Sequence, residues 1–323
     1  MINQQDNGMD LQTIVSCSES PHKISYRDKI LFTGSCFASE IGNIMKRLRF
    51  MAEVTPFGPM YNPVSVVQTI ERIESGTPFN EGDLLIQEDV CKSIFVSSEY
   101  SAPSPEEFLT QNNNMLLKLS RHYRDSAWIV VTLGTNRIYT EKRSGRVAAN
   151  CHKLPSDHFL KSELTINQIY SLFEPVIKRS KGKKWIFTVS PVRHWKDGAH
   201  ENQLSKATLL LAVDMLQKKN ENVYYFPAYE IMMDQLRDYR FYAGDMIHPS
   251  HQAVEYIWER FREVYADSSE EDLLKNVRKL NAMEDHRPVF PYSREYLKFE
   301  NEMRSLRKKI EDKLYKYTKD HNL

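Results

Sequence analysis

Residues 127–133, with the sequence AWIVVTL, form an apolar run in which hydrophobic and polar side chains do not alternate. A strand buried on one face alternates, whereas a strand covered on both faces does not. We therefore predict a central strand of a parallel sheet here, with helices packed on both sides. Residues 184–189 (KWIFTV) have the same character, and we predict that they form another buried strand.

Strand-like and helix-like segments alternate along most of the chain. Helices are predicted where apolar residues recur every three or four positions. The predicted strands are 29–33, 51–55, 127–133, 184–189 and 223–226, and the predicted helices are 38–48, 63–74, 105–123, 166–179, 202–219 and 249–265. This alternation is typical of the α/β class, in which a mostly parallel sheet lies between two layers of helices. Ligands of such sheets bind at the carboxyl ends of the strands.

Two regions interrupt this pattern and are predicted to be side hairpins. The first combines the apolar runs 84–87 and 93–96, and the second spans residues 137–150 with a turn at Ser144-Gly145. Residues 1–26 are predicted to be a loosely structured lead-in.

The strand pattern ends at residue 265, so we predict one α/β domain over residues 25–265 and a helical extension over 266–323. Helices are predicted at 270–283 and 292–318. The last carries an apolar stripe at Met303, Leu306, Ile310 and Tyr317. Such a stripe packs on its own domain or pairs with a second copy, which would make a homo-oligomer.

Charge, hydropathy and cysteine usage exclude several classes of protein. The formal net charge of +1 over 323 residues gives no basic field for nucleic acid. No run approaches 18 apolar residues, so no membrane span is predicted. The polar start MINQQDNGMD does not have the form of a secretory signal. The four cysteines include no CxxC pair, and free thiols are typical of the cytoplasm.

Gly34-Ser35-Cys36 lies between a predicted strand and a predicted helix, which is where many enzymes present a nucleophile. Gly34 would allow a sharp turn. The helix N-terminus favours negative charge, so it would lower the pKa of Cys36 and hold an oxyanion. Either Cys36 or Ser35 is a candidate nucleophile. The alternative is that Cys36 is a buried cysteine that packs as a small hydrophobic residue.

Asp245 and His248 are separated by two residues, and a carboxylate that orients an imidazole makes it a competent base. A capping Asp and a surface His are the alternative. Asn136 and the backbone N–H groups of Cys36 and Gly58 are candidate oxyanion donors. His194, Asp197 and His200 do not have the spacing of a metal site, so we predict neither a metal nor a cofactor.

Six sequence motifs along residues 25–265 make the chain resemble the GSCFA family. They are GSCFA (34–38), FGPMYNP (57–63), VTLGT (131–135), NCHK (150–153), TVSPVRHWKDG with the following NQLSKA (188–207), and GDMIHPS (244–250). The family is similar to SGNH/GDSL-type hydrolases, which share a three-layer α/β/α flavodoxin-like sandwich. The resemblance therefore implies this fold and, by analogy alone, ester chemistry.

The resemblance also suggests roles for individual residues. Cys36 occupies the position of the superfamily's serine nucleophile, and Ser35 that of an aspartate. Gly58 and Gly134-Thr135-Asn136 match the oxyanion blocks, with Arg137 where the superfamily has a second Asp. Asp245 and His248 match its Asp-x-x-His block. Within the motifs we expect substrate contacts from Asn62, Thr135, His152, Arg193 and His194.

The expected function is therefore a hydrolase or acyl-transfer enzyme that acts on a small-molecule or saccharide ester. Cys36 or Ser35 would attack, His248 would accept the proton, and Asp245 would orient His248. A binding module on a degenerate hydrolase fold is the second expectation. The third is an assembly role for the C-terminal helices. The first requires a reactive nucleophile, whereas the others do not.

Overall fold

The α/β alternation of the sequence is present in the computed structural model, which describes residues 12–87 and 89–319. The strands are β1 Lys29–Gly34, β2 Met51–Val54, β3 Leu85–Gln87, β4 Val90–Lys92, β5 Ser126–Leu133, β6 Arg137–Glu141, β7 Phe159–Glu163, β8 Lys184–Val189 and β9 Val223–Tyr225. The helices are α1 Cys36–Arg47, α2 Pro63–Ser75, α3 Pro105–Asp125, α4 Ile166–Arg179, α5 Ala199–Lys219, α6 Ala228–Glu230, α7 His251–Tyr265, α8 Glu271–Glu284 and α9 Arg294–Lys319.

Five strands form the central sheet in the order β2-β1-β5-β8-β9, and all of their pairings are parallel. If only the strands of this sheet are numbered, the order is 2-1-3-4-5, which is the flavodoxin-like order. The chain changes direction across the sheet between β1 and β5. Ligands of open α/β sheets bind at such a point, outside the carboxyl ends of the strands.

Helices cover both faces of this sheet, which gives the predicted three-layer α/β/α sandwich. The side chains of β5 alternate between two separate cores. Ile129 and Val131 face the core formed with α2, α3, α4 and α5, whereas Trp128 and Val130 face the core formed with α1, α7 and α8. Burial on both faces explains why the sequence of β5 is uniformly apolar.

The two predicted side hairpins differ from the observed structure in their second strands. The first hairpin pairs β3 with β4, and residues 93–96 follow β4 as turn and coil. In the second region, β6 pairs along its length with β7, about 20 residues later, and contacts residue 147 only through an isolated bridge. The Ser144-Gly145 turn is therefore part of a longer connection between the strands.

The segments on either side of the α/β unit pack against it. Residues 1–11 of the predicted lead-in lie outside the described residues, but Ile24 and Tyr26 are buried, and Ile24 bridges to Ala266. Ile310 of α9 is buried in the second core, with Met303, Leu306 and Tyr317 packed beside it. The apolar stripe of α9 thus lies against its own chain, while the homo-oligomer and the domain boundary at 265 stay predictions.

No helix within the described ranges is both long and apolar enough to cross a membrane.

Candidate active site

The turn after β1 places Ser35 and Cys36 at the carboxyl edge of the sheet. Gly34 has a φ of 116°, and a Cβ atom there would collide with the carbonyl oxygen of Thr132 on β5. The Ser35 N–H donates to that same oxygen over 2.9 Å. Only glycine fits this close approach of two strand ends. The sequence therefore fixes a sharp turn that starts α1 at Cys36.

The FGPMYNP loop, residues 57–63, ties the ends of β1 and β5 together. The Met60 N–H donates to the Gly34 carbonyl over 2.7 Å. The N–H groups of Gly134 and Thr135 both donate to the Tyr61 carbonyl, over 2.9 and 3.0 Å. This arrangement places Tyr61 beside Cys36. Burial raises the pKa of the Tyr61 hydroxyl, and the charge of Cys36 adds to the effect.

Asp245 and His248 form a hydrogen-bonded pair in the loop before α7. The Asp245 Oδ2 and His248 Nδ1 atoms are 2.7 Å apart. Asp245 Oδ1 accepts from the backbone N–H groups of His248 and Ile247, over 3.0 and 2.9 Å. These backbone donors, followed by the imidazole, lower the pKa of Asp245 to about 2. The carboxylate is thus ionised and held in place, and it fixes the orientation of the imidazole.

The loop after β8, residues 190–198, forms another wall of the site. The Arg193 N–H donates to the Ile247 carbonyl over 3.1 Å, which joins this loop to the loop of His248. The Arg193 guanidinium lies over the ring of Trp195, 5.4 Å from its centroid. Trp195 itself is about half exposed. The wall therefore carries a cation and an aromatic surface.

These loops enclose a cavity of about 400 Å³, which we call the nucleophile cavity. It is lined by Ser35, Cys36, Tyr61, Gly134, Thr135, Ser190, Val192, Arg193, His194, Trp195, Lys196, Lys206, Ile247 and His248. The structure thus brings both candidate nucleophiles together with His248 and with Thr135, Arg193 and His194. Asp245 lies behind His248 and supports it.

Two predicted oxyanion donors, Gly58 and Asn136, are not among the residues that line this cavity, and both donate hydrogen bonds within the fold. The Gly58 N–H donates to the Thr55 carbonyl over 2.9 Å. The Asn136 side-chain amide donates to the Leu164 carbonyl over 3.0 Å, and its backbone N–H donates to the Ser205 hydroxyl over 3.0 Å. These hydrogen bonds hold both residues in the fold, and their role as oxyanion donors stays a prediction.

Asn62 and His152 were expected to contact substrate, and they too lie away from the cavity. Asn62 is the N-cap of α2 and accepts from the Ser65 N–H over 2.9 Å. His152 is buried between the Ser93 carbonyl and the Ser98 hydroxyl, at 2.7 and 3.1 Å. Burial lowers the pKa of His152. Both residues are held by contacts that stabilise local structure, and their expected substrate contacts stay predictions.

The Cys36 thiol is less acidic than the sequence suggested. Burial raises its pKa and Glu40 adds to this, whereas the N–H groups of Phe37 and Cys36 and the charge of Lys206 lower it. The helix N-terminus acts in the predicted direction, but desolvation outweighs it. Cys36 is partly exposed, whereas the Ser35 hydroxyl oxygen is fully buried and has no hydrogen-bond partner.

Lys206 is a site residue that the sequence analysis did not identify. It is 1% exposed, and its Nζ donates to the carbonyls of Gly134 and Ser190 over 2.8 and 2.7 Å. Burial, followed by the charge of Arg193, lowers its pKa to about 7. Lys206 interrupts the apolar stripe of α5 that includes Leu209 and Val213. A lysine in such a stripe is the signal that could have identified it.

Arg137 and Asp197 form an ion-pair cluster beside the cavity. Arg137 is 5% exposed and contacts Glu163, Asp197 and Glu201, at 3.0, 2.6 and 2.6 Å. Asp197 also pairs with Lys161. Arg137 thus has a structural role at the position where the resembling hydrolases have an aspartate. Among the residues that the structure describes, no group of three or more His, Cys, Asp or Glu has metal-binding geometry.

Comparison with known proteins gives a match to one family. None of the curated proteins searched matches this sequence significantly. The sequence model of the GSCFA family matches residues 29–261, well over half of the 323-residue chain. The matched region begins with β1 and ends within α7, so it contains every residue that lines the nucleophile cavity. The chain therefore belongs to the GSCFA family.

Proposed function

We propose that this chain is an SGNH-type hydrolase or acyl-transfer enzyme that acts on an ester through Cys36. One observation carries the proposal. Cys36, at the N-terminus of α1, shares a cavity with His248, and Asp245 holds the imidazole of His248 over 2.7 Å. A nucleophile, a base and a group that orients the base are the parts of a catalytic triad.

Cys36 is a better candidate nucleophile than Ser35. Its side chain is partly exposed and lies at the start of the helix, whereas the Ser35 hydroxyl oxygen is fully buried. A sulfur nucleophile is also intrinsically stronger than a neutral hydroxyl. Ser35 instead begins the helix as its N-cap residue.

The raised pKa of Cys36 means that the thiol is protonated at neutral pH and requires a base. His248 can supply one. Its Nδ1 is hydrogen-bonded to Asp245, and no described residue forms a hydrogen bond with its Nε2. The proposed reaction begins when Nε2 accepts the thiol proton and the sulfur attacks the ester carbonyl. A carbon–sulfur bond forms, and the carbonyl oxygen becomes an oxyanion.

We propose that Lys206 and the backbone N–H of Cys36 stabilise this oxyanion in place of Gly58 and Asn136. As an ammonium, Lys206 has three N–H bonds, and the carbonyls of Gly134 and Ser190 accept two of them. The third is available to the cavity. Collapse of the intermediate breaks the carbon–oxygen bond, and the departing alkoxide takes the proton from His248. Water or an acceptor alcohol then cleaves the thioester at Cys36.

The proposed superfamily and substrate are supported by separate features. The strand order and the positions of Gly34, Asp245 and His248 match those expected of SGNH hydrolases. Trp195 and Tyr61 present half-exposed aromatic surfaces at the cavity, and such surfaces suit the apolar face of a sugar ring. We therefore propose an acylated carbohydrate as substrate. The four free cysteines favour a cytoplasmic setting.

Labelling with an acyl probe tests the proposal. The protein is treated with nitrophenyl acetate, quenched in acid and digested, and the acetylated peptide is located by mass spectrometry. We expect the acetyl group on Cys36, with its loss in Cys36→Ala and its retention in Ser35→Ala. Acetyl on Ser35 would transfer the nucleophile role to that residue. Absence of any adduct in the cavity would favour the non-catalytic binding module.

A further inference from the structure

The wall of the nucleophile cavity carries three cationic side chains, and no carboxylate lines it. Arg193, Lys196 and Lys206 line it, together with two histidines, whereas no Asp or Glu does. None of the three cations has a carboxylate within ion-pair distance in the described part of the chain. Arg193 and Lys206 lie close enough for the charge of Arg193 to oppose protonation of Lys206. Asp245 and Asp197 pair with the two histidines, His248 and His194, so the cations of this wall are left without a carboxylate partner of their own.

Arg193 is the clearest case of an unsatisfied group. Its Nε atom is buried and has no hydrogen-bond partner. Its Nη1 atom lies 3.3 Å from the Met233 sulfur, which is a weak acceptor. The guanidinium also lies over the face of Trp195. Arg193 as a whole is half-buried, but a buried N–H such as its Nε normally finds an acceptor, since an unpaired buried donor is costly.

Carboxylate acceptors are present close to the loop that carries Arg193. Arg137, on the other side of the loop after β8, contacts three carboxylates. The lack of such a partner at Arg193 is therefore a local property of the cavity wall and does not reflect a shortage of acidic residues in this region.

From these contacts we infer that the ester substrate carries a carboxylate, which Arg193 binds beside Trp195. This inference rests on the proposed ester chemistry. A guanidinium matches a planar carboxylate through two parallel hydrogen bonds. The adjacent indole would lie against the ring or chain that bears the carboxylate. Lys196, at the exposed rim, would attract the anion. Lys206 would remain beside the reacting carbonyl and stabilise its oxyanion.

The carboxylate belongs to the alcohol part of the substrate if that part is a sugar acid, or to the acyl part if that part is a dicarboxylic acid. Two matched pairs of esters distinguish these sources. The first pair is acetylated methyl glucuronide and acetylated methyl glucoside. The second is the nitrophenyl monoester of succinic acid and nitrophenyl butyrate.

We expect the acidic member of one pair to have a kcat/KM about 10- to 100-fold higher than its neutral counterpart. Arg193→Met should bring that ratio close to one. Arg237→Met, which removes an exposed arginine outside the cavity, should leave the ratio unchanged. Equal kcat/KM values within both pairs, or a preference that survives in Arg193→Met, would overturn the inference.

A binding measurement separates this inference from the proposed function. Cys36→Ala is titrated calorimetrically with methyl glucuronide and monomethyl succinate, and with methyl glucoside and dimethyl succinate as neutral controls. We expect an acidic ligand to bind at least about tenfold more tightly than its control. If the acidic ligand binds in this way but the unaltered protein hydrolyses none of the esters, the carboxylate site is retained and the proposed enzymatic function is rejected. Equal affinities for the acidic ligands and for their neutral controls would reject the carboxylate site.

Discussion

Two of the arginine-lined cavities of this protein use their arginines differently. The first, which we call the arginine cavity, has a volume of about 600 Å³ and is lined in part by Arg72, Arg146 and Arg179. Arg72 and Arg146 both bind the buried carboxylate of Asp83, at 3.1 and 2.8 Å. Arg179 pairs with Glu71 and Glu74, at 3.0 and 3.1 Å. The smaller nucleophile cavity contains cations without any such partner.

The difference shows that cavity size is a poor guide to function in this molecule. In the arginine cavity, the guanidinium groups connect α2, α4 and neighbouring loops, so their charges stabilise the fold. In the nucleophile cavity, the charges of Arg193 and Lys206 face a space next to a nucleophile and a base. Charged groups that form no ion pair within the fold can bind a ligand or stabilise a transition state. The contrast predicts opposite consequences for mutations in the two places.

The largest expected effect is the loss of turnover on removing the nucleophile or base. Cys36→Ala or His248→Ala should lower kcat/KM for nitrophenyl acetate on the order of 10⁴-fold, because triad members act as a unit. Stopped-flow or steady-state release of nitrophenol measures this loss. Arg72→Met is the matched control from the arginine cavity and should retain full turnover. If His248→Ala also retains it, the proposed triad is wrong.

The next largest effect concerns Lys206. Lys206→Met keeps the length of the side chain and removes its N–H groups. We expect kcat to fall about 10²- to 10³-fold if Lys206 stabilises the oxyanion. The free energy of unfolding should change by less than about 2 kcal/mol, since relief of a buried charge offsets two lost hydrogen bonds. Urea denaturation measures the free energy of unfolding for the same protein preparation that gives kcat. If kcat falls only as far as the loss of folded protein explains, Lys206 has a structural role only.

In the arginine cavity, the expected effect is on stability. Asp83→Asn removes the negative charge shared by Arg72 and Arg146 while keeping the side-chain shape. We expect a loss of about 2–4 kcal/mol in the free energy of unfolding, because two partly buried cations lose their partner. Nitrophenyl acetate turnover at a temperature where the variant is folded should be unchanged. A drop in kcat there would mean that the two cavities are coupled.

The sequence predicts the fold and the local geometry of part of the candidate site, because the relevant signals are local. Unalternating apolar runs identified β5 and β8, and Gly34 marked the turn that presents Cys36. The Asp245–His248 pair also depends on a short loop, in which two backbone N–H groups and an imidazole converge on one carboxylate. Parallel strands then bring these local features to one edge of the sheet.

The features that the sequence did not reveal depend on contacts between residues distant in sequence. Asn136 follows a strand as an oxyanion donor would, but the Leu164 carbonyl, 28 residues later, accepts its amide. β6 pairs along its length with β7 and meets the nearer segment after the Ser144-Gly145 turn only at the bridge between Thr140 and Val147. Lys206 becomes a site residue only when α5 packs against the ends of β5 and β8. Motif spacing does not contain this information.

The smallest expected effect is on the pH dependence of kcat/KM, which should differ between variants of the two cavities. The lowered pKa of Lys206, about 7, places its loss of charge near neutrality, whereas the guanidinium groups of the arginine cavity stay protonated. As pH rises from 7 to 8, the protonated fraction of Lys206 should fall about fivefold, and kcat/KM should fall with it. Asp245, with a pKa of about 2, stays ionised throughout this range. The pH profile of Lys206→Met should therefore lack the alkaline decline, and that of Asp83→Asn should keep it. An alkaline decline that persists unchanged in Lys206→Met would show that another group titrates, and Lys206 would then have no part in binding the oxyanion.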